Sequence, residues 1–120
     1  MAFPDQIEKL VTRLTELTGR GKVEWQETAN LNTYLAPVGK FTVTLGKAGS
    51  EVYGGYNFQI LDQSGRVIDG ALAAYIGPEK SAAPYQNWER LRNLHELARR
   101  RALQSEKVVS DLLSTLDQIA

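Results

Sequence analysis

From Tyr85 to Ala120 the chain runs without a single glycine or proline. Nothing in that stretch supplies the usual signals that end a helix. One helix from Tyr85 to Gln118 would be about 51 Å long at 1.5 Å per residue. A compact domain of the length of this chain has a radius of gyration near ~14 Å, hence a diameter of roughly 35 Å. The helix is longer than the body it must attach to. It either projects toward a partner or breaks.

Written as heptads, its seam is Trp88, Leu91, His95, Ala98, Ala102, Ser105, Val109, Leu112, Leu116 and Ile119, flanked by Leu94, Val108 and Leu113. From Val108 onward the stripe is broad and aliphatic; upstream it narrows to alanines and a histidine. One alternative is a kink near Ser105 that folds the second half back onto the body. Sharp kinks usually need proline or glycine, and neither is present. The other is a continuous helix whose last turns pair with the same segment of a second chain. Aliphatic side chains left in water would form a patch that soluble monomers rarely carry, and two-fold dimers are the commonest oligomers. The expectation is a homodimer with Trp88, Leu91, His95, Val109, Leu112, Leu113, Leu116 and Ile119 at its interface.

Ahead of that helix the periodicity is mixed. Ile7, Leu10, Val11, Leu14 and Leu17 make one apolar stripe, so Phe3 to Thr18 reads as an amphipathic helix stopped by Gly19. Strands are expected at Lys22–Glu27, Gly39–Gly46, Glu51–Leu61 and Arg66–Ile76, with Thr28–Pro37 as a connection pinned by Leu31, Tyr34 and Leu35. Asp62 to Gly65 has turn chemistry. Short connections make consecutive strands antiparallel neighbours. Residues 77–84 read as a loop. The predicted fold is α+β: an N-terminal helix, an antiparallel four-stranded meander, and a long C-terminal helix that packs on one face and extends to a dimer partner. Residues 1–120 form one domain, with 1–84 as helix plus sheet and 85–120 as the long helix.

Fourteen basic residues balance fourteen acidic ones, so no bulk field draws the chain to nucleic acid or an anionic membrane. No cysteine is present, which removes disulfides, thiolate nucleophiles and cysteine zinc sites. Residues 1–9 lack the basic and apolar regions of a signal peptide, and the longest apolar stretch, Gly70–Gly77, falls far short of the ~20 residues that cross a bilayer. A cytoplasmic protein is expected, with no membrane partner.

The candidate chemistry is sparse. Arg99, Arg100 and Arg101 lie together, but consecutive helical residues diverge by 100°, so the three fan out rather than form one stripe. Glu96 lies within reach of Arg99 and Arg100, and Glu89 of Arg92. Nucleic-acid binding through these arginines ranks third among the readings. His95 is the lone histidine and lies on the apolar seam; with no carboxylate or cysteine set around it, neither a triad nor a metal site can be built. No cofactor is implied. The double glycine after Tyr53 marks a bulge, or a place where a ligand approaches the strand, with Tyr53, Asn57 and Gln59 on the exposed side. The function expected is a non-enzymatic interaction or adaptor module working as a homodimer. The alternative is a ligand or peptide binder using the Tyr53–Gln59 face.

Overall fold

The computed structural model describes residues 5–48, 54–74 and 83–120. Its elements are α1 (Asp5–Gly19), β1 (Gln26–Glu27), β2 (Thr33–Val38), β3 (Phe41–Ala48), β4 (Gly55–Leu61), β5 (Val67–Ala73), α2 (Ala83–Ala102) and α3 (Ser105–Ile119). The strands form one antiparallel meander in the order β1-β2-β3-β4-β5. The α+β class holds. The sheet has five strands, not four.

The extra strand is β2, in the segment read as a connection. Tyr34 and Ala36 are buried and alternate with Thr33 and Leu35, the period of a half-buried strand. Pro37 obscures this in the sequence. β1 pairs with β2 only at Tyr34 and Leu35, so at Pro37 the strand has β3 alone as a neighbour. A missing N–H is tolerated on such an open side. Leu31 pins nothing; it is 88% exposed. The expected strand Lys22–Glu27 shrinks to two paired residues, although Val23 and Trp25 are still buried.

α1 places Ile7, Val11 and Leu14 in the core, as its stripe requires. α2 crosses the inner face of the sheet and touches every strand. Phe58, Leu45, Leu91, Leu94 and Val11 are the largest fully buried side chains, so the core sits between the sheet and the two helices. Fully burying an aliphatic or aromatic side chain contributes about 1.5–3 kcal/mol, which makes this layer the main source of stability. The Trp88 indole N–H is anchored to the Gly54 carbonyl at 2.8 Å.

β4 and β5 carry a register shift away from the double glycine, the place where a bulge was expected and which is described only from Gly54 onward. Tyr53 falls outside the described residues, and Gly55 stays in register opposite Ala48. The register shift falls between Ile60 and Leu61, which pair with Asp69 and Val67, so Ile68 is the extra residue.

The C-terminal helix is not continuous. It ends at Ala102 and restarts at Ser105, through Gln104 in the left-handed conformation (φ 52°, ψ 47°). The Leu103 and Gln104 amides close on the Arg99 and Arg101 carbonyls at the end of α2, and Gln104 turns the chain. A left-handed non-glycine residue costs roughly 1–2 kcal/mol, with no glycine to announce it. The break does not fold α3 back: none of its residues is buried, and among the described elements α2 is its main neighbour. The radius of gyration is 16.0 Å and the longest extent 54 Å, against ~14 Å for a compact chain of this length.

Candidate functional site

The seam read from the sequence divides into two surfaces at Gln104. Trp88, Leu91 and His95 are buried against their own sheet. Val109, Leu112, Leu113, Leu116 and Ile119, with Val108, stand on α3 with 50–75% of their area exposed. At 100° per residue these six fall within an arc of about 140° that holds no charge. Glu106, Lys107, Asp111 and Asp117 occupy the rest of the helix surface.

Below the break, α2 and the sheet enclose a cleft of about 470 Å³. Trp88, Arg92, His95, Glu96 and Arg99 reach it from one face of α2, at the spacing of successive turns. Asn32 precedes β2, while Lys47 on β3 and Tyr56 on β4 are directly paired. The Asn32 carbonyl joins the two sides: it accepts the Lys47 backbone amide at 3.1 Å and lies 2.8 Å from His95 Nε2. A carbonyl only accepts, so the ring carries its proton on Nε2. Asn32 itself is left-handed (φ 59°), a conformation asparagine visits more readily than most residues.

His95 is wedged between the rings of Tyr34 and Tyr56, at centroid distances of 5.3 and 5.2 Å. Burial pushes its pKa below the usual imidazole value, against the smaller effect of the Asn32 bond. Burial likewise raises both tyrosines, which stay protonated. Glu96 grips the Arg99 guanidinium through Nη2 at 2.6 Å and Nε at 3.1 Å. The Arg99 bond holds the Glu96 carboxyl below its ordinary range. The Arg92 guanidinium lies 5.7 Å from the centre of the Trp88 ring, a cation–π distance.

The three adjacent arginines separate, as the helical turn requires. Arg99 faces this cleft, Arg100 lines a groove beside Gly21 and Trp25, and Arg101 pairs with Glu24 at 2.6 Å. Asn57 and Gln59 are not part of the cleft. They point to the opposite side of the sheet, which the described helices leave open. Asp62 is a turn residue: its carboxylate accepts the Ser64 and Arg66 amides and the Ser64 hydroxyl, and the Ser64 bond chiefly lowers its pKa. Among the described residues no group of three potential ligands is placed to hold a metal, and no helix is long and apolar enough to cross a membrane.

Sequence reasoning missed Asn32, Lys47, Tyr56 and Arg92 as cleft residues. The α2 contribution was visible in the spacing of Trp88, Arg92, His95 and Arg99, overlaid on the apolar seam. The sheet contribution follows from strand register, which no residue type announces. No protein-family model, curated protein or solved structure matches this chain.

Proposed function

We propose that this chain is a non-enzymatic protein-interaction module, of adaptor type, that works as a homodimer joined through α3. The observation that carries the reading is the aliphatic face of α3, six large side chains that stay at least half exposed among the described residues. A face of about 140° is wider than the seam of a two-stranded coiled coil, so it calls for more than one covering element. A second copy supplies these by two-fold symmetry, the partner's α3 together with the end of its α2. Because the arc contains no charge, its self-pairing strands no ion in an apolar site.

Two other coverings fit less well. The polar face of α3 carries three acids and one lysine, a net charge of −2 (Glu106, Asp111 and Asp117 against Lys107). Helices that lie on anionic membranes are rich in lysine and arginine instead. Strand-to-strand pairing at the edge of β5 is opposed by Asp69, whose carboxylate takes the Gly70 amide at 2.7 Å and so occupies a backbone donor of that strand.

Light scattering coupled to size exclusion, at high micromolar concentration, tests this. The expected mass is twice the 13.3 kDa of one chain. Leu112→Asp with Leu116→Asp is expected to give the single-chain mass with an unchanged melting transition of the sheet body. A wild-type protein that stays at the single-chain mass ends the proposal.

A further inference from the structure

We infer that the joint at Gln104 is a two-position switch whose second position is one unbroken helix through α2 and α3, and that the switch re-aims the aliphatic face of α3. No glycine or proline lies between Tyr85 and Ala120, so no residue at the joint opposes the helical conformation. In the bent position Gln104 bears the strain of a left-handed residue that has a side chain. Its amide bonds to the Arg101 carbonyl, three residues back, at 3.2 Å. The Leu103 amide before it and the Val108 amide after it already make the four-residue bonds of an α-helix, at 2.9 and 3.0 Å. Ser105, Glu106 and Lys107 form the first turn of α3, where amides have no partner inside the helix, and Gln104 gives them no side-chain cap. Turning Gln104 to right-handed torsions sets those three amides opposite the Arg101, Ala102 and Leu103 carbonyls. One residue's rotation then removes the strain and completes the ladder.

Among the described residues, little of the body holds the bend. No α3 residue is buried, and an open groove of about 570 Å³ is lined by both the last turn of α1 and the first turn of α3. The Arg101–Glu24 pair and the buried Ala98 fix α2 up to the joint, and either position of α3 keeps them. The two positions therefore differ mainly at one turn of backbone. Their outcomes differ more. Ala98, Ser105, Leu112 and Ile119 recur every seven residues, and a straight helix drifts only about 20° per such step. In the unbroken position the α3 arc continues the side of α2 that packs on the sheet; in the bent position it leaves that line. A partner that covers the arc in one position only shifts the switch by its difference in affinity. That link to pairing rests on the reading of α3 above; the switch itself does not.

Amide hydrogen exchange followed by NMR tests this in the full chain, and again in the Leu112→Asp, Leu116→Asp variant. The second background has no pairing to depend on, so failure of the switch there is distinct from failure of the homodimer. Gln104 is exposed, so substitutions there act chiefly on the backbone. Gln104→Gly removes the left-handed penalty and favours the bend. Gln104→Val introduces a β-branched residue that resists positive φ, and so favours the unbroken helix. The Ser105, Glu106 and Lys107 amides are expected to exchange roughly tenfold or more slowly in the valine form than in the glycine form, in both backgrounds. The three-bond HN–Hα coupling of residue 104 is expected to move from its left-handed to its right-handed value between the wild type and the valine form. The Leu91 and Leu94 amides, in the core, exchange alike in all forms and report that each is folded. Equal exchange at the three amides in the glycine and valine forms, or slower exchange in the glycine form, overturns the inference.

Discussion

The indole N–H of Trp25 donates to the Thr18 hydroxyl at 3.0 Å, and both side chains are buried. The bond fastens the last turn of α1 to the entrance of the sheet. Thr18→Val keeps the shape and removes the acceptor, stranding a buried N–H at a cost of about 1–3 kcal/mol. Urea unfolding is expected to show that loss, with Thr18→Ser retaining most of the stability. Equal stability of the valine variant and the wild type would refute this account.

The second prediction concerns pH. His95 is held neutral in the fold, chiefly by burial. The groups around it are the Tyr34 and Tyr56 rings and the Asn32 carbonyl, with Lys47 and Arg99 opposing its protonation and Glu96 favouring it. The unfolded chain takes up the proton near pH ~6.5, whereas the folded chain does so only at lower pH. The unfolded state thus binds more protons between the two values, and stability rises with pH across that window. On acidification through pH ~6.5 the free energy of unfolding is expected to fall with a limiting slope of about 1.4 kcal/mol per pH unit, levelling below the folded-state pKa. His95→Gln should flatten the slope above about pH 5, where carboxylates do not yet titrate. A slope that persists in the glutamine variant would assign it elsewhere.

The third addresses the joint at Gln104. The chain has no cysteine, so spin labels can be placed cleanly at Glu89→Cys and Ser114→Cys. One unbroken helix would separate these backbone positions by about 38 Å. The left-handed turn makes the distance shorter, and double electron–electron resonance is expected to report that. A single narrow distance at the unbroken length would mean that α2 and α3 are one rod.

Two glycines give opposite outcomes on substitution by alanine. A Cβ on Gly70 would lie 2.4 Å from the Phe58 carbonyl oxygen and 3.3 Å from the Gln59 Cα, so β4 and β5 must part. Gly70→Ala is expected to cost roughly 1–3 kcal/mol, in the range of overpacked sites. A Cβ on Gly19 meets nothing within 4 Å, and the helical backbone there gains roughly 0.5–1 kcal/mol from alanine. Thermal melts that rank the two the other way round contradict this reading of the β4–β5 contact.

How much of this was legible in the sequence depends on how local the determinant is. Ile7, Val11 and Leu14 repeat with the helical period, and Val43 and Leu45 alternate, so α1 and β3 could be read directly. Asp62 and Gly65 name their own turn, with Gly65 at φ 85°. β2 was hidden because Pro37 reads as a breaker until its open side is known. The break after α2 was hidden because Gln104 has no intrinsic left-handed preference; the sequence shows neither the Arg101–Glu24 pair beside it nor the backbone closure before it. The cleft was the least legible part. One of its central groups is a carbonyl oxygen, that of Asn32, and a backbone atom leaves no mark on residue choice. Its neighbour His95 comes from 63 positions away.

The torsions of Gln104 make α3 a lever arm. At 1.5 Å per residue that arm is about 22 Å long, so a rotation of about 10° at the joint swings its tip by about 4 Å. In a pair of chains joined tip to tip, the spacing and tilt of the two sheets would follow the angle of one residue on each side. Such a pair can re-aim its two open sheet faces, where Asn57 and Gln59 stand, without disturbing either core.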